Sequence, residues 1–338
     1  MSILSIIQNQ SRSEADRQTA FLKLMGDHSI TNLIQYSEME NWDLILDNLR
    51  MVSKSRLQLW QYCSFQFKMR YILHYTPEMY RRIMIDGKNL HLINKQFWET
   101  ITVEEILTTE NIEELIKEIY IRLIPQNERT VFIDQMIQNF IWFETTRIQG
   151  IFQDVEKTIE NIKLYVIPYA LELPIENWEN NLIGIIDRID RLTNGTFAVI
   201  EYKYGKPKYY QKNPMHKTFI NGEIAFYEEL LQGNQIYILV GDELKPFQEI
   251  LGDIPHITYG AMLFFQDIQA TSFLFELKKI SITTIKRKIG EYWKALDTGI
   301  FLPKPSNACL TVCEYYWDQC ELNNEFLEIE KCMDDSNV

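Results

Sequence analysis

The sequence predicts an α/β protein: a mixed central sheet with helices on both sides and a helical insertion ahead of it. Three observations predict this. Between residues 165 and 277 short β-branched runs recur, bounded by turn residues. Residues 53–164 and 282–296 instead carry apolar side chains at helical spacing. At 338 residues and 46% hydrophobic content the chain has material for a large core, which excludes a mainly disordered protein.

Taken in order, Ser13-Glu14-Ala15-Asp16 caps a helix that Gly26 stops, and residues 30–36 suggest another; residues 1–50 form an N-terminal helical addition. Ser53 or Ser55 caps the next helix, whose apolar positions Leu57, Trp60, Phe65, Phe67, Tyr71 and Ile72 run until Pro77, with Cys63 inside it. Gly87 opens a helix through His91, Phe97 and Trp98, and residues 51–99 make a second segment. Helical patterns at 103–107, 112–124 and 130–147 give an inserted subdomain over 100–164. Its stripe of Phe132, Met136, Phe140, Ile141 and Phe143 reads as core.

Strands follow at 165–173, with Glu172 near the end, then at 182–189 and 197–202, joined by the turn Thr193-Asn194-Gly195-Thr196. Residues 209–220 read as a polar loop and 221–231 as a helix. Further strands are expected at 235–240, 257–265 and 272–277, then a basic amphipathic helix at 282–296. The sheet region, 165–320, ends in three close cysteines, and 321–338 is an acidic tail holding Cys332.

The chemistry concentrates in the 182–203 hairpin. Asp187 interrupts an apolar run, and Glu201 and Lys203, two apart, project from one strand face. Two carboxylates and an ammonium meeting there would suit a hard divalent cation bound through oxygen. Taken alone, the same charges are better explained as a solvated face with cross-strand pairing. Likewise Cys63 alone reads as a small buried hydrophobe, and His91 alone as a helix-surface residue. One turn apart on the 221–231 helix, Glu223 and Tyr227 share a face.

Set in order, these motifs resemble the PD-(D/E)xK nucleases. Gly184-Ile-Ile-Asp187-Arg-Ile-Asp followed by Glu201-Tyr-Lys203-Tyr-Gly resembles their RecB-like exonuclease branch, and Gly87-x-x-x-His91 resembles its first motif. Glu223-x-x-x-Tyr227 stands where the branch has Gln-x-x-x-Tyr, and the position of Glu172 resembles a site-adjacent glutamate. The resemblance implies a restriction-endonuclease-like core in which Asp187, Glu201, His91 and the Tyr202 carbonyl hold Mn²⁺ or Mg²⁺. It casts Lys203 as the group that orients or deprotonates water, with Tyr227 and Glu223 placing the DNA strand.

Cys63 with Cys309, Cys313 and Cys320 resembles the iron–sulfur staple of AddB-type and CRISPR-associated Cas-four-like members. That implies a 4Fe–4S cluster, with zinc as the rival occupant; the C-x3-C-x6-C spacing is one longer in each gap than is usual there, and Ser64 replaces the usual proline.

A net charge of −13 excludes indiscriminate coating of nucleic acid, yet residues 51–82 carry six basic side chains against one acidic, and 200–217 five against one. No apolar run approaches the roughly 18 residues that span a bilayer. The expectation is therefore a cytoplasmic exonuclease with no membrane partner, acting on single-stranded DNA or DNA ends beside recombination or CRISPR-adaptation proteins. The alternative is a non-catalytic iron–sulfur DNA-binding or scaffold subunit.

Overall fold

A seven-stranded mixed sheet, its strands lying side by side in the order 243–246, 236–240, 170–177, 182–191, 197–203, 257–264 and 272–276, organises the computed structural model. The described residues are 42–74, 89, 91–124, 131–203, 214–266, 272–299, 301, 313, 315 and 320. The chain divides into two compact units, one of residues 1–81 with 287–338 and one of 82–286.

In the 82–286 unit, a helix over 91–100 (α4 in chain order) leads to α5 (Val103–Thr108), α6 (Ile112–Leu123) and α7 (Val131–Asp154). Thr102 and Glu105 form a reciprocal capping box at the start of α5, and the Asn111 side chain caps α6. The strands are β1 (Ala170–Asn177), β2 (Leu182–Arg191), β3 (Phe197–Lys203), β4 (Ile236–Val240), β5 (Glu243–Pro246), β6 (Ile257–Phe264) and β7 (Ser272–Glu276). Among the described residues only the β3–β6 pair is parallel; the other ladders are antiparallel.

Helices cover the sheet on both sides. On one, Met136, Ile137, Phe140 and Phe143 of α7 share a core with Ile200 and Tyr202 of β3 and Ala261 and Leu263 of β6. On the other lies α8 (Pro214–Leu230). It approaches closely enough that a Cβ at Gly260 would stand 2.7 Å from Ile224, and one at Gly184 would stand 3.0 Å from Leu230. Glycine at both positions is what lets this helix settle onto the strands.

In the other unit, α1 (Trp42–Arg50) precedes α2 (Lys54–Tyr62), α3 (Ser64–Phe67) and a π-helix (Lys68–Ile72). In the 82–286 unit α9 (Phe247–Leu251) follows β5; α10 (Lys279–Thr298) begins in that unit, continues into the other, and ends at Gly299 with φ 64°.

Several expectations are corrected. The single helix expected from residue 53 to Pro77 breaks at Cys63, whose backbone is extended (φ −158°, ψ 110°) and serves as the last cap of α2 and the first of α3. A one-residue break leaves the apolar period on either side intact, so periodicity does not reveal it. The strand expected at 165–173 begins only at Ala170, because residues 162–166 form a π-helix with Ile162 and Val166 fully buried. A short buried apolar run reads alike as helix or strand. The strand then continues through Pro174, which is tolerated because β4 pairs only with Ile175–Asn177. The loop expected up to residue 220 is helical from Pro214, a residue suited to a first helical position. Strand β5 and α9, short and half exposed, carry no period that announces them.

The helices expected before residue 41, Gly87, Cys309, Cys332 and the acidic tail lie outside the described residues. Among the described residues no helix is long and apolar enough to cross a membrane.

Candidate active site

The site begins with an interruption in the β1–β2 ladder. Pairing runs from Ala170↔Ile189 to Leu171↔Arg188 and resumes at Leu173↔Ile186, leaving out Glu172 opposite Asp187. Glu172 has φ 44°, a left-handed conformation that costs a non-glycine residue of order 1–3 kcal/mol. This turn brings its carboxylate 2.9 Å from His91 Nδ1, on the first turn of α4. The same nitrogen lies 3.5 Å from Asp187 Oδ1. His91, Glu172 and Asp187 thus offer ligand atoms that all lie within 4.8 Å of one another.

Asp187 is fixed from its other oxygen, Oδ2, which accepts the Tyr202 backbone N–H at 2.8 Å. This bond ties β2 to β3 just beyond their last ladder pair, Arg188↔Ile200. Beside it, Lys203 Nζ lies 2.8 Å from Glu201 Oε1 and 2.6 Å from Glu223 Oε2, the latter reaching in from α8. Tyr227, one turn further along α8, is fully buried and hydrogen-bonds to Glu201.

The electrostatics agree with this convergence. Burial works to lower the His91 pKa, but the Glu172 hydrogen bond and the charges of Asp187, Glu172 and Glu201 outweigh it and hold the imidazole above its usual value. For Tyr227, burial and then the charges of Glu201, Asp187 and Glu223 all push the phenol well above its usual range, so it remains a hydrogen-bond donor. The nearby presence of four carboxylates with one imidazole is a donor set suited to a hard divalent cation that also accepts nitrogen.

Asp187, Glu201, Lys203, His91, Glu223 and Tyr227 all belong to the 82–286 unit, and the contacts above link them into one cluster. Glu172, read from sequence only as site-adjacent, is a full member of the three-residue donor group. Its signals were a carboxylate at the end of an apolar run and a position resembling the family's site-adjacent glutamate; the backbone turn that aims it has no sequence signature. Arg188 and Asp190 of the Asp-Arg-Ile-Asp run lie on the opposite side, in a buried network with Glu144.

Cys63, Cys313 and Cys320 fall in the other unit. Cys63 and Cys320 are buried, and the Gln66 amide donates to Cys313 Sγ at 3.0 Å, placing that sulfur beside the helix that follows Cys63.

Comparison with curated proteins returns no match. A family model described as the PD-(D/E)XK nuclease superfamily matches residues 51–321, a span that includes every residue of this cluster. With its mixed sheet, its Asp187 and Glu201-x-Lys203 pairing across adjacent strands, and that match over most of its length, the chain belongs to the PD-(D/E)XK nuclease superfamily.

Proposed function

We propose that this chain is a divalent-metal-dependent deoxyribonuclease, an exonuclease that hydrolyses phosphodiester bonds in single-stranded DNA or at DNA ends. The observation that supports this reading most is the convergence of His91, Glu172 and Asp187 within 4.8 Å beside the Glu201–Lys203 pair. His91, Asp187, Glu201 and the Tyr202 carbonyl would hold Mn²⁺ or Mg²⁺, joined by Glu172. When bound, the cation supplies a Lewis acid for the phosphoryl oxygens and lowers the pKa of a coordinated water. Lys203 orients the attacking water and offsets the negative charge that develops on the phosphate. Glu223 holds the ammonium of Lys203 in place from α8, and Tyr227 fixes the Glu201 carboxylate.

The cysteines support a separate structural centre. Cys63, Cys309, Cys313 and Cys320 supply the four thiolates that either a 4Fe–4S cluster or zinc requires, and we favour the cluster. The basic, aromatic-rich segment at 51–82 suits a DNA strand held by stacking and phosphate contact, in recombination, repair or CRISPR adaptation. A second reading, a non-catalytic DNA-binding subunit, draws on Glu223: with Glu201 it surrounds Lys203 by two carboxylates.

The deciding experiment digests end-labelled single- and double-stranded DNA with Mn²⁺ or Mg²⁺, comparing wild type with Lys203→Ala. Digestion by wild type and a loss of about 10²–10³-fold in the variant is the expected result. No digestion by wild type with either cation would establish the non-catalytic reading instead.

A further inference from the structure

Tyr202 belongs to both faces of the sheet. Its backbone N–H donates to Asp187 Oδ2 at 2.8 Å, and its chain neighbours Glu201 and Lys203 meet α8. Its ring points the other way, into the core shared with α7, where Arg188 Nη1 donates to the phenol oxygen at 3.3 Å. The His91 ring stands edge-on to this ring, with centroids 5.7 Å apart and planes at 77°.

The group that grips the phenol is unusually well fixed. Arg188 is fully buried; its Nε and Nη2 each donate to Asp190 at 2.7 Å, and Nη1 pairs with Glu144. Arg147 adds an ion pair to Glu144 at 2.9 Å and another to Asp190 at 3.4 Å. The Trp98 ring closes over Arg188 at 4.9 Å. Two guanidinium groups face two carboxylates, so the network is neutral without Tyr202. The phenol therefore adds no charge balance: it is anchored by the network. Buried ion pairs of this kind are weak sources of net stability, so a role in fixing geometry is the better account of this one.

We infer that Tyr202 is a positioning residue: its anchored ring is the wall on which His91 stands, and its backbone N–H sets the orientation of Asp187, so that both donors are arranged before a cation arrives. The inference rests on the metal-dependent reading of the site. Removing a partner that orients metal donors typically weakens metal affinity by about 10–100-fold.

The test is Mn²⁺ titration of the full chain, followed by the electron paramagnetic resonance signal of free Mn²⁺, with ion-free thermal unfolding measured alongside. Tyr202→Phe keeps the ring and loses the anchor, and about tenfold weaker binding is expected; Tyr202→Leu loses both, and about 100-fold is expected. Ile116→Val, which trims a fully buried side chain of α6, a helix that carries none of the donors, lowers the melting temperature and leaves Mn²⁺ affinity unchanged. Wild-type affinity in both Tyr202 variants, with lowered melting alone, would overturn the inference and leave Tyr202 a packing residue. Should Tyr202→Leu not fold, Tyr202→Phe decides by the same criterion. If wild type binds no Mn²⁺, or His91→Ala binds as wild type does, the metal site itself fails and the inference with it.

Discussion

Lys203 is the side chain to which the proposed mechanism gives the attacking water, and Glu223 is what distinguishes its setting here. An ammonium 2.8 Å from Glu201 and 2.6 Å from a buried Glu223 is held rigidly, but it is also doubly countered. Glu223→Gln keeps an acceptor for the ammonium and removes one negative charge from the approach of a phosphate. Nuclease activity of that variant is expected to equal or exceed wild type in the labelled-DNA digest; a drop of tenfold or more, about 1.4 kcal/mol in barrier, would make Glu223 a group needed in the transition state. His91 supplies a second test. Its pKa is raised in the fold, against burial, by the Glu172 hydrogen bond and by neighbouring carboxylates, so the folded protein binds this proton more tightly than the unfolded chain. The protonated imidazole therefore stabilises the ion-free fold fully below its ordinary value of 6.5, and that contribution disappears as pH climbs through the raised value. Thermal unfolding in chelator should show wild type above His91→Ala in acid, with the gap closing as the buffer turns alkaline; a gap that widens with pH would contradict the Glu172–His91 pairing.

Strands β2 and β3 carry Asp187 and Glu201, and α8 and α7 pack on the two faces of the sheet that holds them. Because a Cβ at Gly260 would meet Ile224 at 2.7 Å and Phe275 at 2.8 Å, Gly260→Ala is expected to cost about 1–3 kcal/mol by overpacking, read from urea unfolding. On the other face, Glu144→Ala would leave Arg188 buried with half its carboxylate partners, and a larger cost of about 3–5 kcal/mol is expected. The comparison of the two variants separates packing from charge as the tie between helix and sheet. Much of this arrangement was legible in the sequence. The 182–203 hairpin announced itself through β-branched runs around a Thr-Asn-Gly-Thr turn, and Asp187 through its charge inside an apolar run. Gly184 was legible as part of a motif, and its physical reason, the close approach of Leu230, appeared only in three dimensions. What stayed hidden were single-residue geometries without a period: the left-handed turn at Glu172, the extended break at Cys63 and the π-helix at 162–166. Each is a departure of one or a few residues that leaves the apolar period around it unchanged, so hydrophobic patterning does not encode it.

The chain ends are joined in one compact unit, residues 1–81 with 287–338, and the cysteines proposed as ligands are divided between them. Closing so long a loop through a metal would contribute to folding, since four thiolates can gather only when the two segments meet. Protein purified without oxygen should then be brown, absorb broadly near the violet end and hold about four irons per chain. A colourless protein with about one zinc would keep the staple and change its occupant. Neither metal would return Cys63 and Cys320 to the role of buried small hydrophobes. Cys63→Ala adds the thermodynamic arm: loss of metal together with a lowered melting temperature is expected, whereas unchanged melting would show that the unit closes without it. Gln66 separates iron from zinc further, because its amide donates to Cys313 Sγ at 3.0 Å. Hydrogen bonds to ligand sulfur tune a cluster's reduction potential by stabilising the more negative, reduced state. Gln66→Leu should therefore shift the midpoint of an iron–sulfur protein downward in a redox titration, while a zinc protein, having no redox couple, would give no midpoint to move.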